Sequence, residues 1–134
     1  MTRRTLSRIL LVDDQRDIRS IVGLALGKIG GFKVQVCASG EEALATAPDF
    51  APDLLLLDLS MPVLDGVGTL KALRVKGLEA PAVFFTARLK ASDMGRYRDL
   101  GVLGVIPKPF DPLKLGAQLR EFWRQYLAGQ PVQE

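Results

Sequence analysis

No histidine occurs anywhere in the sequence. Without it there can be no Ser-His-Asp or Cys-His nucleophilic arrangement, no histidine zinc site and no phosphorylatable histidine within the chain. Cysteine is nearly missing as well, because Cys37 stands alone. An internal disulfide is therefore impossible, and so is a cysteine-based zinc site. That usage points to a reducing, cytoplasmic setting. No apolar run approaches the roughly 20 residues of a membrane span. The run from Ile9 to Val12 is too short for a signal-peptide core and ends in two aspartates. Internal repeats, low-complexity stretches and interdomain linkers are lacking too.

What remains is a chain of 134 residues, 48% hydrophobic and 25% charged, which is enough for one domain with a core that needs no covalent staple. The net charge is +3. Part of the excess lies in Arg3, Arg4 and Arg8, which read as a solvated tail ahead of the first strand. No basic helix or aromatic-interleaved patch accompanies them to suggest nucleic acid.

Short apolar runs alternate with helical periodicities along the chain. Ile9 to Val12 is a continuous run of the kind found in a strand buried on both faces. Ile18, Ile21, Val22, Ala25, Leu26 and Ile29 follow at helical spacing, and Gly30-Gly31 ends that pattern. Lys33 to Cys37 alternates like a strand near an edge. Glu41 to Ala47 reads as a short helix stopped by Pro48, and Leu54 to Leu57 as the next strand. Asp65 suits the cap of a helix running to Lys76, with Val67, Leu70 and Leu73 inward. Ala82 to Phe85 is a fourth strand. Residues 91 to 100 predict a weaker, polar helix with Met94 and Tyr97 as its apolar members, and Leu103 to Ile106 a fifth strand. Asp111-Pro112 opens a last helix carrying Leu115, Leu119, Phe122, Trp123 and Tyr126, a stripe expected to be mostly core; the tail from Gly129 looks frayed. Five strands alternating with five helices predict an α/β fold: one doubly wound (βα)5 domain with a parallel sheet covered on both faces. All 134 residues are taken up by it, leaving none for a DNA-binding output domain.

The polar residues at the strand ends carry the chemistry. Asp13 and Asp14 follow strand one, Asp58 follows strand three, Thr86 strand four and Lys108 strand five. Ligands of open α/β sheets bind outside the carboxyl ends of the strands, where strand order reverses. With the order 2-1-3-4-5, strands one and three are neighbours and the three aspartates meet. Carboxylates so gathered are ionised near neutral pH and need a cation. An all-oxygen donor set suits Mg²⁺ or Mn²⁺ rather than zinc. Lys108 adds a point charge and Thr86 a hydroxyl, a combination shaped for phosphoryl transfer, and a carboxylate can serve as the nucleophile. Duller roles exist: Asp13 or Asp14 could cap the first helix, and Lys108 could be a surface lysine. Other phosphate motifs fail, since Gly23 to Lys28 lacks the spacing and the Ser/Thr of a Walker A loop.

The motifs Leu11-Val12-Asp13-Asp14, Leu57-Asp58-Leu59-Ser60-Met61-Pro62 with Asp65-Gly66, Phe85-Thr86-Ala87 and Lys108-Pro109-Phe110 occur in that order. From about Arg8 to Leu127 the chain resembles the receiver domain of two-component response regulators, most closely the stand-alone, chemotaxis-type form. The resemblance implies a flavodoxin-like fold with Asp58 as phosphoacceptor. It implies Asp14 as a direct ligand of Mg²⁺, Asp13 acting largely through metal-bound water, and the Ser60 backbone carbonyl as a further ligand. Thr86 matches the switch hydroxyl and Lys108 the family lysine, with a cis Lys108-Pro109 peptide. A histidine kinase or histidine phosphotransfer protein is the implied donor. A downstream protein is the implied target, through the helix at 91–100, strand five and the last helix. Enzymatic turnover of substrate is not expected, although self-phosphorylation from small donors and autodephosphorylation are. One departure is Val105, where the family often carries an aromatic switch residue. Two other functions share these residues: a protein-binding adaptor that is never phosphorylated, and an aspartate-based phosphatase. The second wants a carboxylate at position 60, which is serine.

Overall fold

A computed structural model describes residues 5–87 and 93–129. Five parallel strands lie in the order β2-β1-β3-β4-β5. They are β1 (Arg8–Val12), β2 (Lys33–Cys37), β3 (Leu54–Asp58), β4 (Ala82–Thr86) and β5 (Val102–Pro107). The helices between and after them are α1 (Arg16–Leu24), α2 (Gly40–Phe50), α3 (Gly66–Val75), α4 (Met94–Asp99) and α5 (Pro112–Ala128). The predicted flavodoxin-like order is the observed one.

Every residue of β3 and β4 is buried. Their unbroken apolar runs follow from this, because a central parallel strand meets helices on both faces. Alternation along the strands divides the core in two. Leu10, Val12, Leu55, Leu57 and Phe84 face α2, α3 and α4 in one cluster. Ile9, Leu11, Leu54, Leu56, Val83 and Phe85 face α1 and α5 in the other. Register pairs Val12 with Leu57 and Asp58 with Phe85, so the carboxyl ends of β1, β3 and β4 lie side by side.

Several local expectations change. α1 runs on into a π-helical turn, Ala25–Ile29, whose wider winding breaks the 3.6-residue phase. Ile29 consequently points outward, and Ile21 and Leu24 are exposed as well, so the apolar arc is wider than the sheet covers. Pro48 does not end α2 but lies inside it. It leaves the Leu44 carbonyl without its usual N–H, and the Lys76 ammonium donates to that oxygen at 3.1 Å instead. Arg8 belongs to β1 rather than to a solvated tail: its Nε donates to the Phe50 carbonyl at 2.8 Å and its guanidinium lies 4.4 Å from the Phe50 ring centre. Arg3, Arg4, residues 88–92 and the tail beyond Gly129 lie outside the described residues, so the helix expected over 91–100 is described only as Met94–Asp99. In α5, Leu115, Leu119 and Trp123 are buried, while Phe122 and Tyr126 are only partly so. Among the described residues, no helix is long and apolar enough to cross a membrane.

Candidate functional site

β1 ends at Val12, so Asp13 and Asp14 leave the sheet where Asp58, the last residue of the neighbouring β3, arrives. One carboxylate oxygen from each of the three lies within 4.8 Å of the others. Asp13 and Asp58 are buried, whereas Asp14 is exposed and opens the cluster to solvent.

Asp13 is held on every side. Its N–H donates to the Cys37 carbonyl at 3.1 Å. Its Oδ1 accepts from the Gln15 N–H at 2.8 Å, and its own carbonyl accepts from the Arg19 guanidinium at 3.0 Å. Neither Asp13 nor Asp14 caps α1; the cap position is Gln15, and its side chain makes no capping bond. Lys108 stands just beyond β5, its N–H donating to the Thr86 carbonyl at 2.8 Å. Its Nζ lies 3.1 Å from Asp13 Oδ2 and 3.5 Å from Asp58 Oδ1. A third oxygen, Gln15 Oε1, is 3.4 Å away. Lys108 is thus a site residue and not a solvated one. Thr86 ends β4 and is buried. The Lys108-Pro109 peptide is cis.

The loop from β3 to α3 folds back over its own strand. The Ser60 N–H donates to Asp58 Oδ1 at 3.3 Å, and the Leu59 N–H to the Phe85 carbonyl at 2.9 Å. Gly66 then passes so close that a Cβ there would lie 2.5 Å from the Asp58 carbonyl oxygen and 2.9 Å from the Leu59 Cα. Only glycine permits this approach. Asp65 caps α3 as expected, accepting from the Gly68 N–H at 2.8 Å. Val63, at the tip of the loop, holds a left-handed φ of 68° that a β-branched residue rarely adopts.

Burial raises the Asp58 carboxyl from an ordinary 3.8 to about 6. The neighbouring Asp13 charge and a hydrogen bond with Asp14 push the same way, while Lys108 and the Ser60 N–H oppose them. Three carboxylates therefore face one ammonium, and the surplus negative charge with all-oxygen donors fits a hard divalent cation.

The structure brings Asp13, Asp14, Asp58 and Lys108 into one cluster, with Thr86 and Ser60 on the strand and loop beside it. Sequence reasoning missed Gln15 and Arg19. Gln15 could have been suspected from its place directly after the aspartate pair. Nothing in the sequence marks Arg19, whose contact is with a backbone oxygen.

Comparison with known proteins places this geometry. The model of the response regulator receiver domain matches residues 9–120. The transcriptional regulatory protein CpxR of Escherichia coli is 40% identical over 120 residues, 90% of this chain and 50% of that protein. PrrA of Mycobacterium tuberculosis, also a transcriptional regulatory protein, is 34% identical over 121 residues, 90% of this chain and 52% of PrrA. The chain thus spans about half the length of these curated relatives. The Vibrio cholerae chemotaxis protein CheY4 superposes with a TM-score of 0.80 at 30% identity, covering 88% of this chain and 99% of CheY4. Aspartyl phosphorylation and Mg²⁺ binding at an acidic pocket are typical of the matched family. The chain belongs to the receiver domains of two-component response regulators.

Proposed function

We propose that this chain is a phosphoacceptor receiver, one domain with its core at about residues 8–127, that takes a phosphoryl group on Asp58. The donor is the phosphohistidine of a histidine kinase or of a histidine phosphotransfer protein. The observation that carries this reading is the meeting of Asp13, Asp14 and Asp58 within 4.8 Å beside the Lys108 ammonium. In the transfer, an Asp58 carboxylate oxygen bonds to phosphorus and the P–N bond to the donor imidazole breaks. The imidazole keeps the electron pair and takes a proton from water. Lys108 lies between Asp13 and Asp58, at 3.1 and 3.5 Å, and balances charge on a phosphoryl oxygen, while the Thr86 hydroxyl donates to another. Asp13, Asp14, Asp58 and the Ser60 carbonyl would hold Mg²⁺ or Mn²⁺, which supplies positive charge to the carboxylates and the incoming phosphoryl group.

The donor protein docks beside the site. Ile18, Ile21, Pro109, Phe110 and Pro112 line an almost wholly apolar pocket of about 430 Å³ that reaches Lys108. Ile21 on its rim is exposed, as are Leu24 on the same helix and Leu113 next to Pro112. Output goes to a downstream protein through α4, β5 and α5. The protein is not a turnover enzyme, but it phosphorylates itself from small donors and hydrolyses its own aspartyl phosphate. It works in the cytoplasm.

The test is incubation with a small acyl phosphate and Mg²⁺, followed by intact-mass measurement. A stoichiometric phosphoryl adduct, lost in Asp58→Asn, supports the receiver. Continuous release of phosphate without an adduct supports a phosphatase, and no reaction supports an unphosphorylated adaptor.

A further inference from the structure

Gln15 touches Lys108 without being one of the acids. It stands directly after Asp14 at the cap position of α1, where Ser, Thr, Asp and Asn are the usual choices, and its side chain makes no capping bond. Its backbone is nevertheless fixed on both sides. The N–H donates to Asp13 Oδ1 at 2.8 Å, and the carbonyl accepts from the Arg19 N–H at 3.1 Å. Gln15 is exposed, so its side chain is free of the core. It turns to the site instead, where Oε1 accepts from Lys108 Nζ at 3.4 Å.

An ammonium has three hydrogens to donate. Three oxygens surround Lys108 Nζ: Asp13 Oδ2 at 3.1 Å, Gln15 Oε1 at 3.4 Å and Asp58 Oδ1 at 3.5 Å. The Phe85 ring centre is 5.8 Å away, at the limit of a useful cation–π contact. The three oxygens are not equivalent. Asp13 and Asp58 are charged members of the carboxylate cluster that fits a divalent cation. Asp58 also changes charge and shape when it is phosphorylated. Gln15 does neither. Its amide is neutral, so it holds an ammonium less strongly than a phosphoryl oxygen does. At 3.4 Å the contact is also longer than an ordinary hydrogen bond, loose enough for the ammonium to turn against it.

We propose that Gln15 is a positioning residue for the phosphoryl transfer: its amide oxygen is a neutral rest that keeps Lys108 at the mouth of the site and lets it turn from Asp58 to the incoming phosphoryl oxygen. This rests on the receiver reading above. Without that rest the ammonium settles on the two carboxylates and neutralises them in place of the donor's phosphoryl group. Gln15 itself touches no reacting atom. Its bond to Asp13 runs through the backbone N–H, so a change of side chain removes only the contact with Lys108.

The test compares wild type, Gln15→Met, Lys108→Met and the double variant. Methionine keeps the length and apolar stem of glutamine and loses the amide oxygen. Each protein is incubated with Mg²⁺ and a small acyl phosphate, and the rate of adduct formation is read by intact mass. Gln15→Met should slow the adduct at least about threefold where Lys108 is present and leave the rate unchanged in the Lys108→Met background. Gln15→Asn, one methylene shorter, should be slowed like Gln15→Met. A second reading needs no metal and no donor. In lysine labelled at Cε, the NMR signal of Lys108, identified by its loss in Lys108→Met, should shift in Gln15→Met. No slowing by Gln15→Met, equal slowing in both backgrounds, or an unmoved Lys108 signal overturns the proposal and leaves the receiver reading standing. So does a Gln15→Asn that reacts at the wild-type rate, which decides the question should Lys108→Met not fold. A wild-type chain that forms no adduct removes the receiver reading and the role of Gln15 with it.

Discussion

A carboxylate that must act as a nucleophile gains from being buried, because it loses the water that shields it, yet burial also makes it harder to ionise. Asp58 shows both sides, with 4% of its surface exposed and a carboxyl raised to about 6. The sign for stability follows. Between an unfolded value near 3.8 and a folded value near 6, the native state binds more protons than the unfolded one. Stability should therefore fall as pH rises through that window and level off above it. Thermal melts from pH 4 to 8 without divalent metal should show this slope, and Asp58→Asn should flatten it. By the same reckoning Asp58→Asn gains up to about 3 kcal/mol at pH 7. A wild-type curve without that slope would show the carboxyl to be ordinary. Gly66 makes the second single-residue case. Gly66→Ala forces a Cβ against the Asp58 carbonyl oxygen, with an expected cost of about 1–3 kcal/mol in urea unfolding. Since that carbonyl belongs to the proposed acceptor, slower phosphorylation from a small donor should accompany the loss. Of these site residues the acids, Lys108 and Thr86 were legible as strand-end polar residues. The partners of Asp13 were not, because Gln15 and Arg19 reach it through backbone groups that no residue pattern records.

Strands were more legible than helices, for a physical reason. A strand buried on both faces needs an unbroken apolar run, and β1, β3 and β4 show just that. Helix ends and helix faces depend on neighbours. Pro48 looked like a stop, but Lys76 from α3 supplies a donor to the carbonyl that proline leaves unpaired, and α2 continues to Phe50. The helical spacing of Ile21 and Ile29 implied burial, whereas the π-helical turn and the limited reach of the sheet leave both outside. Arg74 illustrates an element held by a partner remote in sequence. Its guanidinium serves three carbonyls across the α3–β4 and α4–β5 connections, and burial lowers its pKa. Arg74→Met keeps the apolar stem and strands those carbonyls, so it should cost about 2–4 kcal/mol by chemical denaturation. It should also raise amide exchange around Leu100 and Gly101 before the rest of the chain. A loss below about 0.5 kcal/mol would show that water replaces the guanidinium freely.

Taken together, the sheet order places an acidic site and an apolar face at one end of a single molecule. On the proposed docking of the donor at Ile21 and its neighbours, recognition and chemistry lie on separate groups. Ile21→Asp should lower phosphotransfer from a cognate kinase at least about tenfold, roughly 1.4 kcal/mol, and leave phosphorylation by a small acyl phosphate unchanged. Equal loss with both donors would place the fault in the site itself. Periodicity, composition and the order of the motifs were sufficient for the fold class, the five strands, the identity of the acids and the exclusion of histidine and cysteine chemistry. Those properties are local, since burial on one or two faces and the chemistry of a side chain act residue by residue. Which groups touch was settled only by folding. The Asp13–Lys108 pair spans 95 positions, and the Tyr97–Phe84 contact depends on how α4 lies across the sheet. Such pairings arise from strand order and helix placement, which are properties of the whole chain's packing rather than of any window along it.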